Sequence, residues 1–220
     1  MKARIYEAHK NLHRQDKGNR RVVNMTIKIL NLYAGIGGNR KLWIGDIEVT
    51  AVEIEPKIAK IYQDFFPQDK VIIADAHQFL LEHFKEFDFI WSSPPCQTHS
   101  DCNFFLNAQG VIRYPDMALW QEIIFLKHFA KCLWVVENVQ TYYKPFVKPY
   151  LCGRHYFWSN FIIANRKMKP SIGTFNRSAS IIKQKRAETT QRKRNCVEPE
   201  LGLHIFNMAF KHKQKTLVDL

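Results

Sequence analysis

Short apolar runs that stop at a chemically capable residue recur five times in the first 140 positions of this chain. Ile27–Tyr33 leads into Ala34-Gly35-Ile36-Gly37-Gly38, Val49–Val52 into Glu53, and Val71–Ala74 into Asp75. Phe87–Trp91 leads into Ser92-Ser93-Pro94-Pro95-Cys96, and Leu133–Val136 into Glu137. Runs this short, rich in β-branched and aromatic residues, read as buried strands. The stretches between them carry helical signals: Pro56–Phe65 opens on a proline, 76–85 follows, and Tyr114–Lys131 spaces Leu119, Trp120, Ile123 and Ile124 on one stripe. Strands alternating with helices predict an α/β fold, a doubly wound, Rossmann-like sheet with helices on both faces. In such a sheet the carboxyl ends of the strands share one edge, and ligands bind there. The glycine run, Glu53 and Asp75 should therefore line one crevice, with Cys96 beside it.

Each end has its own chemistry. Proline fixes φ and removes a backbone donor, so Pro94-Pro95 forces the chain out of the sheet in a stiff turn. The first side chain after that turn is the Cys96 thiol, which reads as a presented nucleophile rather than a filler of a core gap. Glycines after the first strand let backbone approach a ligand closely, and a helix-like stretch near 39–43 should follow them. A carboxylate ending the second strand is placed to hold ribose hydroxyls, whereas Glu55 suits charge compensation at a helix start. Glu137 closes a wholly apolar run, which suits a proton donor. Cys96, His99 and Cys102 have a spacing that invites zinc, but no fourth ligand lies near. No metal is expected, and His99 reads as a hydrogen-bonding residue of a long loop, 98–113. Leu151–Ala164 reads as one further strand, and 195–210 as a helix carrying Leu201, Leu203, Ile205, Phe206 and Phe210.

Charge narrows the partners. The net charge of +13 is clustered: residues 165–195 hold ten Lys/Arg against Glu188, and the first 25 hold seven against Glu7 and Asp16. Clusters of that kind are the footprint of a polyanion, most simply nucleic acid. An odd count of five cysteines without paired spacing argues against a disulfide scaffold. The first residues form no secretory h-region and no apolar run reaches membrane length, so a cytoplasmic protein without membrane partners is expected. The chain divides into a basic arm (1–25), a catalytic domain (26–164), a basic segment (165–190) and a C-terminal helix returning to the catalytic domain (191–220).

These motifs in this order resemble the cytosine-C5 DNA methyltransferases. Tyr33-Ala34-Gly35-Ile36-Gly37-Gly38 is similar to the family's first cofactor motif, and Glu53 and Asp75 fall where its next two acids lie. Pro94-Pro95-Cys96-Gln97 looks like the catalytic loop and Glu137-Asn138-Val139 like the following acid motif. Arg194-Asn195-Cys196-Val197 resembles the last motif, a segment that folds back beside the cofactor. The resemblance implies a class I methyltransferase sheet, S-adenosylmethionine as cofactor and double-stranded DNA as partner. It implies a cofactor site of Tyr33, Ala34, Gly35, Gly37, Gly38, Glu53, Ile54, Asp75, Pro95 and Asn195, with Tyr33 and Ile54 against the adenine or ribose. It further implies catalysis by Cys96 adding to cytosine C6 while Glu137 serves N3. The family's paired arginine motif is absent. Arg154 is the best candidate for its role and is expected to lower the Cys96 pKa. The target-recognition region shrinks to 165–190. An RNA cytosine-5 methyltransferase and a catalytically weak nucleic-acid-binding relative are the alternatives.

Overall fold

The computed structural model describes residues 26–166 and 197–210. Five strands run parallel: β1 (Ile27–Leu32), β2 (Ile47–Glu53), β3 (Lys70–Ile73), β4 (Phe89–Ser92) and β5 (Leu133–Val139). An antiparallel hairpin, β6 (Tyr150–Cys152) and β7 (His155–Ser159), extends them through β7 pairing with β5. The seven strands lie in the order β3-β2-β1-β4-β5-β7-β6. The helices are α1 (Pro56–Phe65), α2 (Ala76–His83), α3 (Cys102–Ala108), α4 (Ala118–Phe129) and α5 (Pro199–Phe210). The order reverses between β1 and β4, and a crevice opens at such a switch point beyond the carboxyl ends of the strands.

Side-chain alternation gives the sheet two apolar faces. Ile29, Val49, Phe89, Trp91 and Val135 pack against Leu201, Ile205, Phe206 and Ala209 of α5. On the same face Ala51 meets Tyr62 of α1. Leu30, Leu32, Val52, Ile90 and Val136 pack on the other face against Leu80 of α2 and Leu119, Trp120, Ile123 and Leu126 of α4. Helices cover both faces, as a doubly wound sheet requires. Helix α5 also closes on the glycine-rich loop after β1. Trp43 stacks on Phe206 with ring centroids 5.1 Å apart, and its indole N–H donates to the Gly202 carbonyl at 3.2 Å. A Cβ at Gly202 would lie 2.3 Å from the Asn39 carbonyl oxygen, so only glycine permits this approach.

Five expected elements come out differently. The stretch 39–43 is a series of turns and not a helix. Its polar side chains are committed elsewhere: Asn39 donates to Asn31 Oδ1 at 2.8 Å, and Arg40 forks onto Asp69 at 2.9 and 3.0 Å. With Asn39 and Arg40 so held, the stretch stays in turns. Strand β3 ends at Ile73, and Asp75 instead caps α2, accepting from the Gln78 N–H at 2.8 Å. The long loop after Cys96 contains α3, and α4 is shorter than expected at both ends. The single strand expected over 151–164 is a hairpin, turned at Gly153 with φ of 61°. The basic arm, most of the 165–190 segment and Asn195 lie outside the described residues.

Candidate active site

Ligand-facing groups reach the crevice from four strand ends. From β1, the backbone turns through Tyr33, Gly35 and Gly37, all at positive φ. Gly37 is buried against α1, where a Cβ would sit 2.2 Å from the Phe66 ring. The Gly35 N–H donates to Glu53 Oε2 at 2.9 Å, and the Glu55 N–H donates to Glu53 Oε1 at 3.0 Å. Both carboxylate oxygens are thus oriented by backbone, and each retains an acceptor lone pair. Beside Glu53, the Ile54 side chain is 63% exposed, an apolar surface at the crevice rim. Asp75, the cap of α2 just beyond β3, is exposed. Ala34 is buried beneath the turn, Gly38 is half-buried, and Pro95 is exposed at the opposite wall.

From β4 the chain leaves through Pro94-Pro95 to Cys96. Asn138 of β5 donates to the Pro94 carbonyl at 3.0 Å, which ties the turn to the next strand. The N–H groups of His99 and Ser100 both donate to the Cys96 carbonyl at 3.0 Å, so a tight turn follows the thiol. Asn103 of α3 closes that turn by donating to the Gln97 carbonyl at 2.8 Å. His99 is fully buried and its Nδ1 lies 2.6 Å from the Tyr143 hydroxyl. Among the described residues no group of three or more His, Cys, Asp or Glu side chains is placed to hold a metal ion.

Those strand ends, the Pro-Pro-Cys turn and the Glu137-Asn138 pair fall inside residues 27–142, which match the family model of C-5 cytosine-specific DNA methylases over more than half of the chain. The chain belongs to that family. Its class of activity is methyl transfer to C5 of cytosine. Among solved structures, this methylase is similar to a putative methyltransferase, yhhF, from Escherichia coli, with 16% identity over 71% of this chain and 82% of that one and a TM-score of 0.41. It is also similar to a DNMT2 variant from Spodoptera frugiperda, with 26% identity over 52% of this chain and 36% of that one and a TM-score of 0.37. No curated protein matches it significantly. Among the described residues no helix is long and apolar enough to cross a membrane.

The methylase departs from expectation in the charges around its thiol. Burial pushes the Cys96 thiol up, and the neighbouring Glu137 carboxylate pushes the same way. Arg154 pulls it down, but too weakly to prevail. The reason is placement: the Arg154 side chain is 47% exposed and its Nε pairs with Glu198 Oε1 at 3.4 Å. Arg154 is therefore not the dominant influence on the nucleophile. Tyr33 also differs: its hydroxyl donates to Glu122 Oε1 at 2.6 Å, so that end of the ring is committed to α4. Nor is Glu137 an isolated acid in an apolar strand. Its Oε1 lies 2.5 Å from Nδ1 of His155 on the adjacent strand, and both side chains are buried.

Four residues of the site escaped the sequence reading. Glu122 is completely buried and also accepts from Ser92 Oγ at 2.6 Å, with His77 Nδ1 at 3.0 Å. Its signal was present, since a carboxylate stands on the apolar stripe of α4 between Leu119 and Ile123. His77 and His155 reach their carboxylates across elements distant in sequence, and nothing local announces the pairing. Asn138 was visible only as part of a motif, not as the anchor of the Pro94 turn.

Proposed function

We propose that this methylase is a DNA (cytosine-5-)-methyltransferase that works through a covalent bond between Cys96 and C6 of a flipped-out cytosine. The observation that carries the reading is the position of Cys96. The thiol stands on a proline-stiffened turn at the switch point, close enough to Glu137 to feel its charge, with the Gly35–Glu53 bond one strand away. The crevice also fits the cofactor. Glu53 offers lone pairs to ribose hydroxyls, Ile54 an apolar surface to the adenine, and the surrounding carboxylates favour a sulfonium cation. When bound, S-adenosylmethionine supplies an electrophilic methyl group. Tyr33, Ala34, Gly35, Gly37, Gly38, Asp75, Pro95 and Asn195 complete the proposed cofactor site, with the ring of Tyr33 acting from below rather than through its hydroxyl.

The chain's own groups supply the rest. Cytosine C5 is a feeble carbon nucleophile, and bond formation between Cys96 Sγ and C6 moves ring electrons toward C5 and N3. The thiol must first lose its proton to solvent, and its raised pKa keeps it protonated at rest. Glu137, whose charge acts on Cys96, is the group proposed to serve N3. After methylation at C5 the C5 proton leaves, the Sγ–C6 bond breaks and the ring is restored. Extrusion of the base from a duplex costs a few kcal/mol. Double-stranded DNA is the proposed partner, supported by the two basic clusters of the sequence.

The test is mechanism-based trapping. Fluorine at C5 cannot leave as a cation, so DNA containing 5-fluorocytosine should give an adduct that survives denaturing electrophoresis, only with S-adenosylmethionine present. Cys96→Ala should abolish it. Methylation with no trapped species, or an adduct that persists in Cys96→Ala, overturns the covalent role. Transfer to tRNA and not to duplex DNA would replace the substrate.

A further inference from the structure

The Glu137–His155 contact is built into the sheet. Glu137 opposes Phe157 in the β5–β7 ladder and Val139 opposes His155, so Glu137 and His155 are diagonal neighbours on one face of the sheet. The imidazole is buried, with 5% of its side chain exposed. Its Nδ1 meets Glu137 Oε1 at 2.5 Å, and its Nε2 lies 3.6 Å from Glu198 Oε2. Among the described residues the charged and titratable groups that face it are those two carboxylates, Arg154 next in sequence and the Cys96 thiol across Glu137. The Phe157 ring, 6.3 Å away, forms the apolar wall. A histidine between two carboxylates at this depth is protonated at rest, and the proton on Nδ1 points at the oxygen of Glu137. Glu137 therefore waits beside a proton that His155 already holds.

We propose that His155 is the positioning residue of the reaction, holding the proton that Glu137 delivers to N3 of the target cytosine. This rests on the methyltransferase reading above. As the Cys96 Sγ–C6 bond forms, a ring electron pair moves onto N3. The Nδ1 proton of His155 passes to the Glu137 carboxylate, and Glu137 then gives a proton to N3, which leaves a neutral imidazole, a carboxylate and a neutral enamine ring. When the C5 proton leaves to solvent and the Sγ–C6 bond breaks, N3 returns its proton along the same path. Atoms and charge balance over the cycle, and no outside acid is needed. Glu198 takes the far side of the ring and keeps the imidazolium from being stranded beside Arg154.

Two measurements test this. The first needs no activity: histidine-labelled protein is titrated by NMR, the His155 signal being assigned by its loss in His155→Asn. The signal should titrate well above the other imidazoles, and Glu137→Gln should lower its proton affinity more than tenfold. The second is the pH dependence of transfer to cytosine-containing DNA. His155→Asn keeps a hydrogen-bond donor at the Nδ1 position but cannot surrender a proton. It should lower kcat by about 10²-fold or more, the scale of a lost proton transfer. KM should hold, and the alkaline fall in kcat should vanish. A wild-type His155 that titrates with the ordinary imidazoles, or is indifferent to Glu137→Gln, overturns the proposal. So does an Asn variant that retains kcat and its alkaline limb, because a donor alone would then suffice. Should His155→Asn not fold, the NMR comparison of wild type with Glu137→Gln still decides. Absence of transfer to any cytosine substrate by the wild type overturns the function itself, whereas loss of only the His155 dependence overturns this inference alone.

Discussion

The buried Glu137–His155 pair should make the stability of this protein fall on the alkaline side through one identifiable group. Burial alone would discourage protonation of the imidazole, but the Glu137 charge, its hydrogen bond and the approach of Glu198 outweigh it and raise His155 from 6.5 to about 9. The folded state thus binds the proton more tightly than the unfolded chain does. The stabilisation is fully present below the unfolded value of 6.5 and is lost as pH rises through about 9. At about 1.4 kcal/mol for each tenfold change in proton affinity, the rise corresponds to on the order of 3 kcal/mol. The imidazole is almost fully buried, so solvent screening removes little of this. The measurement is urea denaturation of wild type and His155→Asn across a pH series from about 6 to about 10. Lysines, tyrosines and cysteines titrate in both proteins and cancel in the difference. The difference should be largest below about pH 6.5, then shrink by roughly 3 kcal/mol as pH rises through about 9. Parallel curves would mean that Glu137 and His155 are not coupled, and the reasoning would fail with them.

Three further outcomes are expected. Asp69→Ala should destabilise by about 3 kcal/mol in thermal or chemical denaturation, because it strands the half-buried Arg40 fork and the Tyr62 hydroxyl that donates to the same carboxylate at 2.8 Å; an unchanged midpoint would show the network to be dispensable. Gly202→Ala should cost about 1–3 kcal/mol, since its methyl must displace the Asn39 backbone, which the Asn31 side chain holds in place. A variant as stable as wild type would mean that α5 shifts freely against the loop. Glu53→Ala should weaken S-adenosylmethionine binding by about 1–3 kcal/mol in calorimetry; unchanged affinity in a folded protein would remove Glu53 from the cofactor site.

The sheet was legible because its signal is local. Apolar runs such as Leu133–Val136 are buried on both sides, and their length and termini can be read without knowing their neighbours. The crevice followed from the same pattern, since a parallel sheet brings β1, β2 and β4 to one edge whatever their side chains do. What stayed hidden depends on contacts between distant residues. The stretch 39–43 has helical composition, yet Asn39 and Arg40 are drawn to Asn31 and Asp69. Tertiary hydrogen bonds there override propensity. Asp75 looked like a strand end because Val71–Ala74 is apolar throughout, but its side chain turns forward to cap α2. The charge balance at Cys96 was misjudged for the same reason. Sequence gives Arg154 a sign but not its pairing with Glu198.

The two histidine–carboxylate pairs explain how so apolar a sheet tolerates acids at its working edge. Ser92 and Glu122 meet on the face covered by α4, while Glu137 and His155 lie on the face covered by α5, so the pairs bracket the strand that carries Pro94, Pro95 and Cys96. An isolated carboxylate at either depth would be costly, and each is instead paired with an imidazole. The Glu122 pair also grips Tyr33, just past β1, and Ser92, the last residue of β4, and so fixes the two sides of the switch point relative to each other. Burial raises the proton affinity of the neighbouring Cys96 thiol, and the Glu137 charge adds to it. One pair therefore sets the geometry of the crevice and the other its protonation. An arginine beside Glu137 would hold a fixed charge there, whereas a histidine holds one that can move. Loss of the arginine motif does not by itself imply loss of catalysis when a titratable partner occupies the adjoining strand.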